Sequence, residues 1–391
     1  MTQENPETLA AEIIDCLMQS TRPIALLLGA GCPCAIIVEG GKPLIPDVPG
    51  LTKQVITVLE GGESVAAWKK LLFTFEEDGK KEFNIEEALS RIRGFREYVG
   101  KGEVRGLSDD QLEKLEQAIC GHIVDVADKK LPATINPYSQ MAMWLGGVER
   151  QVPAEIFTTN YDLLTEQALE REKVPFFDGF VGAVRPFFDS IGLKNESLPR
   201  KWIRVWKLHG SINWKRSNEK ERVEIFRGEP GDGSVIHPSH LKYDESRKMP
   251  YLAMMDLLKA FIARPSSVFI TVGYSFRDQH LNEVILEGLR GNSSGVMFGL
   301  LYGNLDAYPE AIDLALRHPN FRVHAEDGAI VGARRLGWSE KDVAPTTLIP
   351  GGIVEWTKVG KSEERFKPRF LMGHFALLGN LFSHIASRQG H

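Results

Sequence analysis

The chain has 391 residues, 43% apolar and 25% charged, the ordinary range of a globular protein with material for a sizeable core. A formal net charge of -5 gives no domain-wide basic field to hold a polyanion, so direct nucleic-acid binding is not expected. Cys16, Cys32, Cys34 and Cys120 form no C-x-x-C pair, which argues against a zinc ribbon or a disulfide framework and for a reducing, cytoplasmic setting with no bound metal.

The N-terminus is polar and lacks the positive region of a secretory signal, and residues 8–19 carry apolar positions at helical spacing. An apolar run over 24–28 reads as a buried strand that ends on Gly29, Ala30 and Gly31. The charge-free stretch 24–38 contains glycine and proline and falls short of the ~20 residues of a membrane span, so no membrane association is expected. Glycines at such a turn let phosphates approach backbone N–H groups. Cys34 replaces the third glycine of G-x-G-x-x-G, however, and no Gly-Lys-Ser/Thr follows, so neither a dehydrogenase fingerprint nor a P-loop is present.

Residues 51–150 turn helical, with three-to-four periodicity over 64–75, 85–98, 108–128 and 138–145. They read as an insertion between the first two core strands that walls the site or mediates self-association. A strand over 154–159 then ends on Asn160, Tyr161 and Asp162 and opens a helix to 169, followed by an aromatic loop over 174–197. A strand over 203–208 ends on His209 and Gly210, and a hairpin pairs 211–214 with 223–226 across a tip of mixed charge over 215–222. A helix over 249–263 precedes a strand over 267–272 that ends on Gly273, Tyr274 and Ser275. Asp278 stands before a helix reaching 289, two more strands follow over 296–302 and 321–324, and the tail reads as a helix over 366–387.

In an open α/β sheet, ligands sit beyond the carboxyl ends of the strands. Three strand ends far apart in sequence carry glycine or polar machinery there, which places His209 where chemistry happens, although a histidine at a strand end is usually a structural side chain. Asn160 can donate and accept hydrogen bonds at once, and His209 can take a proton near neutral pH. Each residue also has a plainer use. Asn160 and Asp162 suit helix capping, and Asp278 reads as a helix cap ahead of a ribose contact. His237, His240 and His280 lack ligand spacing and read as core or surface, and Cys32 and Cys34 read as small buried fillers.

Four motifs stand in order: Gly29-Ala30-Gly31 with Ile45-Pro46-Asp47, Thr158-Thr159-Asn160-Tyr161-Asp162, Lys207-Leu208-His209-Gly210-Ser211, and Gly273-Tyr274-Ser275-Phe276-Arg277-Asp278. Together they resemble the sirtuin family, specifically the bacterial sirtuin-like NAD hydrolases of antiphage defence. The layout is similar to the stand-alone subunit that works beside a HerA-type ATPase. The resemblance implies an α/β fold with a parallel Rossmann-like sheet. Residues 1–50 and 151–335 would form the NAD-binding catalytic core, 51–150 a helical insertion and 336–391 a helical C-terminal tail.

It also implies NAD as substrate, cleaved to ADP-ribose and nicotinamide. Gly29, Ala30 and Gly31 would face the pyrophosphate, Asn160 the ribose, and Asp162 the carboxamide. His209 would act on the ribose and the attacking group, while Gly273 and Ser275 would line the adenosine side. Asp47, Thr159 and Asp278 complete the implied NAD-binding set. The family's serine after the glycine turn is here Pro33, its glutamine before the asparagine is Thr159, and its aromatic-arginine pair is Val48-Pro49. The two C-x-x-C pairs of the deacylating members are absent, which counts against the alternative of protein deacylation. A non-catalytic NAD or ADP-ribose sensor is the other alternative. Such an enzyme must be silenced in healthy cells, which implies control by a partner ATPase or by homo-oligomerisation.

Overall fold

The computed structural model describes residues 2–194, 198–217, 224–231, 234–236, 250–343, 349–359 and 365–389. Its centre is a ten-stranded sheet built from β1 (Thr2–Glu4), β2 (Ile24–Leu28), β3 (Glu155–Thr158), β4 (Phe176–Phe177), β5 (Ile203–Lys207), β6 (Val268–Val272), β7 (Val296–Leu300), β8 (Phe321–Ala325), β9 (Gly328–Val331) and β10 (Arg334–Trp338). The spatial order is β1-β10-β9-β8-β7-β6-β2-β3-β5-β4. From β8 to β4 every pairing is parallel, and the antiparallel β8-β9-β10 meander closes one edge. Central strands buried on both faces are continuous apolar runs, as in Ile24-Ala25-Leu26-Leu27-Leu28.

Alternation along β2 divides the core into two layers. Ile24, Leu26 and Leu28 pack with α1 (Pro6–Met18), α6 (Pro137–Gly147) and α11 (Phe375–Gln389). Ala25 and Leu27 face the other way, toward α8 (Tyr251–Ile262) and α9 (Gln279–Arg290). Each large side chain so buried contributes about 1.5–3 kcal/mol, so the period of two fixes which helix lies on which face.

The helices between the first two core strands have an apolar core of their own. It is formed by α2 (Val48–Gly61), α3 (Val65–Glu77), α4 (Ile85–Val99) and α5 (Asp109–Ala127) around Trp68, Leu71, Leu89, Leu115 and Ile119. Reciprocal capping boxes, Asn84 with Glu87 and Ser108 with Gln111, start α4 and α5. The helical stretch expected over 51–150 therefore divides. α2 already begins at Val48. α6, in contrast, belongs to the body, where Trp144 stacks on Phe382 at 4.6 Å and Tyr138 meets Phe375 edge-on at 5.1 Å.

The tail differs from the helix expected over 366–387. Val354–Val359 and Arg365–Phe370 form an antiparallel hairpin, and α11 starts only at Phe375. Pro368 in the second strand forbids a helix interior there. The loop expected over 174–197 contains three two-residue strands too short to show periodicity. Two of them join a five-stranded sheet with Gly210–Ser217, Glu224–Arg227 and Ser234–Ile236. The hairpin expected to pair 211–214 with 223–226 is shifted: it pairs 214–217 with 224–227, so Lys215, Arg216 and Ser217, expected in the charged tip over 215–222, belong to the first strand. The rest of that tip, over 218–222, and His237 and His240 lie outside the described residues, and His280 is exposed. Among the described residues no helix is long and apolar enough to cross a membrane.

Candidate active site

The chain runs from β2 to β3 on one side and later returns to β6 on the other, so the sheet reverses its order between β2 and β6. A crevice at the carboxyl ends is expected at such a switch point. Here the two glycine loops lock together. Gly29 N–H donates to Val272 O at 3.0 Å and Gly31 N–H to Gly273 O at 2.9 Å. A methyl group on Gly29 would overlap the Gly273 carbonyl, and one on Gly273 would come within 2.6 Å of Cys32 N. Gly273 also has a φ of +66°, which suits glycine. These two glycines permit backbone-on-backbone packing, and Gly29, expected to face a pyrophosphate, is turned to the protein instead.

The loop after β3 is tied to the same floor. Thr158 Oγ1 donates to Leu28 O at 3.0 Å and accepts from Asn160 N–H at 3.0 Å, while Asn160 Nδ2 donates to Gly29 O at 3.2 Å. Asp162 Oδ1 accepts from Leu164 N–H at 2.9 Å, a local turn contact just ahead of α7 (Leu164–Arg171), whose N-cap position is Leu163. Burial pushes the Asp162 carboxyl up to about 6, although the Lys207 ammonium pulls the other way. Lys207 is almost wholly buried. Its Nζ donates to Asp162 O, lies 3.1 Å from Glu166 Oε1 and reaches Tyr161 O at 3.4 Å. The lysine of the Lys-Leu-His-Gly-Ser motif thus clamps the neighbouring strand's loop.

His209 is 6% exposed, and its Nε2 lies 3.2 Å from Asp278 Oδ2. This is a salt-bridge separation once the imidazole carries its proton. Burial lowers the imidazole pKa, but the contact with Asp278 and the charges of Asp278 and Glu86 outweigh it and leave the histidine raised from its ordinary value. The other Asp278 oxygen, Oδ1, accepts from Leu281 N–H at 3.1 Å and caps α9. Asp278 is thus the helix cap that the sequence favoured ahead of a ribose contact, and its second oxygen sits where it orients the histidine.

These loops surround a cavity of about 680 Å³, within the ~300–1,000 Å³ of small-molecule sites. Of the residues expected at the site, Ala30, Gly31, Asp47, Thr159, Asn160, Asp162, His209, Gly273, Ser275 and Asp278 line it, and only Gly29 does not. Asp47 also caps α2 through Gly50 N–H at 2.9 Å. Among the further lining residues that escaped the sequence reading are Glu86 from α4, Arg277, Tyr302, and His374 ahead of α11. Arg277 stands inside a quoted motif and was within reach, whereas nothing local marks Glu86 or His374. Cys32 Sγ bonds Val272 O at 3.3 Å and Cys34 Sγ bonds Ile45 O at 3.4 Å; burial pushes the Cys34 thiol up to about 11 and the Cys32 thiol well above its ordinary value, which suits fillers rather than nucleophiles. Among the described residues, no group of three or more histidine, cysteine or acidic side chains is placed to hold a metal.

Solved structures similar to this chain include a Sir2 homologue in complex with NAD, at 15% identity over 77% of this chain and 86% of that one, with a TM-score of 0.36. A structure of a Sir2 enzyme aligns at 14% identity over 77% and 86% of the two chains, with a TM-score of 0.34. No curated protein matches the chain. Residues 154–323 match the family model of the SIR2-like domain, and this stretch carries the loops after β3, β5 and β6 that bring Asn160, His209 and Asp278 to the cavity.

Proposed function

We propose that the protein is an NAD hydrolase that cleaves the nicotinamide–ribose bond of NAD to release ADP-ribose and nicotinamide. The observation that carries this reading is the meeting of Asn160 and His209, from two strand ends, in one cavity beside the interlocked glycine loops. The SIR2-like match over residues 154–323 supports it.

As the C–N bond breaks, its electron pair leaves with nicotinamide and neutralises the pyridinium, so no acid is required at the leaving group. Water forms the new C–O bond to the ribose, and its proton passes to His209. Asn160, whose Nδ2 donates to Gly29 O, offers its remaining amide hydrogen and oxygen to a ribose hydroxyl or to water. Asp162 meets the carboxamide, Ala30 presents its backbone to the pyrophosphate beside Gly31, whose own N–H is held by Gly273 O, and Gly273 with Ser275 takes the adenosine side. Asp47 and Thr159 complete the pocket. Ile123 and Val126, from the helical wall, limit water at the reacting face. The absence of C-x-x-C pairs favours hydrolysis over deacylation. Following the sequence resemblance, the activity serves antiphage defence by depleting cytoplasmic NAD, under the control of a HerA-type ATPase or of self-association.

The test incubates purified wild type, Asn160→Ala and His209→Ala with NAD, with and without a candidate ATPase partner, and follows nicotinamide and ADP-ribose by chromatography. Each variant should lose about 10²–10⁴-fold in turnover while retaining NAD binding. NAD binding by wild type without release of nicotinamide, partner present, would replace the hydrolase with a sensor. Release that depends on an acylated peptide would replace it with a deacylase.

A further inference from the structure

The α4 helix enters the cavity by its first turn, and that turn divides its labour. Asn84 and Glu87 satisfy each other's backbone donors in the capping box, which leaves Glu86 outside the cap and on the cavity wall. The Glu86 carboxylate accepts from Tyr161 Oη at 2.9 Å. Tyr161 stands between Asn160 and Asp162, and its carbonyl accepts from Ile212 N–H at 3.0 Å, three residues beyond His209. Tyr161 and Ile212 are also buried in the apolar core of the helical insertion. One side chain thus links the insertion to both polar strand ends.

We propose that Glu86 is a positioning residue for His209, through which the seating of the helical insertion governs the histidine. The inference rests on the hydrolase reading for its consequence in catalysis. Asp278, from the start of α9, lies 3.2 Å from the imidazole, and Glu86, from α4, shares the cavity wall with His209, whose affinity for a proton its charge raises. Asp47, Asp162, Arg277 and His374 are the other charged or basic groups on the cavity wall, and Lys207 lies behind it, paired with Glu166. With the insertion seated, both carboxylates hold the imidazolium; with the insertion displaced, Asp278 remains alone and the neutral base forms at lower pH.

The experiment uses the full chain with isotope-labelled histidine, following the His209 imidazole by NMR titration together with the pH profile of nicotinamide release. His209→Ala identifies the resonance. Glu86→Gln should lower the His209 midpoint and the acidic limb of the profile by about 0.5 unit or more, roughly a threefold loss of proton affinity. Tyr161→Phe removes the hydrogen bond but keeps the charge, so its midpoint should move less. A purely structural role for Glu86 would lower stability or turnover without moving either midpoint. An unchanged His209 midpoint in Glu86→Gln overturns the proposal. If that variant does not fold, Glu86→Asp, which withdraws the carboxylate by one methylene, is read in the same way. A wild type that releases no nicotinamide sinks the hydrolase reading, and the NMR midpoint still decides the role of Glu86.

Discussion

The cavity has two kinds of wall, and they are held by different physics. The strand-end wall carries Asn160, Asp162 and His209 on loops fixed by sheet register, by the Gly29–Gly273 backbone contact and by the buried Lys207 clamp. The helical wall carries Glu86 on an element whose rigidity comes from a separate apolar core. Tyr161 Oη, from the loop after β3, donates to its Glu86 carboxylate at 2.9 Å. A group set by strand register cannot shift without breaking the sheet. A group on a separately packed helix can move with that packing, so the first wall suits chemistry and the second suits control.

The sharpest way to break this comparison is through the clamp. Lys207→Met leaves Glu166 and the carbonyls of Tyr161 and Asp162 without their buried cation, which should cost about 3–5 kcal/mol in urea unfolding and loosen the loop bearing Asn160. A stability change under about 1 kcal/mol would mean that the strand-end wall is not held this way.

Leu115→Ala tests the other wall by opening a hole in the insertion's core, at a cost of about 2–5 kcal/mol. Hydrogen exchange should quicken in α2 to α5 while β2, β3 and β6 keep their protection. Equal quickening throughout would make the two walls one cooperative unit and end the distinction.

The smallest effect concerns Asp162. Its folded-state value of about 6 lies above the ordinary 3.8, so the folded chain binds this proton more tightly and loses stability as pH rises from about 4 to about 6. Asn at this position keeps an acceptor for Leu164 N–H but does not titrate. Asp162→Asn should therefore gain about 1–3 kcal/mol relative to wild type between about pH 4 and about pH 7, measured by urea midpoints. A difference that does not vary with pH would show that Asp162 is not the buried acid described.

By itself the sequence determined the parallel core and the strand ends. Uninterrupted apolar runs such as residues 24–28 can be buried only on both faces, and the residue that follows each run must then sit at the sheet's carboxyl edge. That local logic reached Asn160, His209 and the glycine loops without coordinates. It could not see the two-residue strands at 176–188, which have no period, and it read a helix through a hairpin strand where Pro368 was the available warning.

Tertiary structure alone decided the partnerships. Asp278 is a helix cap in sequence and becomes His209's ion partner because β5 and α9 converge at the switch point. Gly29 looks like a phosphate turn and proves to be a contact with Gly273, from a strand more than two hundred residues away. Glu86 is one acid among many on an amphipathic helix, and only the docking of α4 against Tyr161 brings its charge to the histidine. Periodicity and turn chemistry act over a few residues, whereas charge and close packing act through space, so the elements are legible in the chain and their meetings are not.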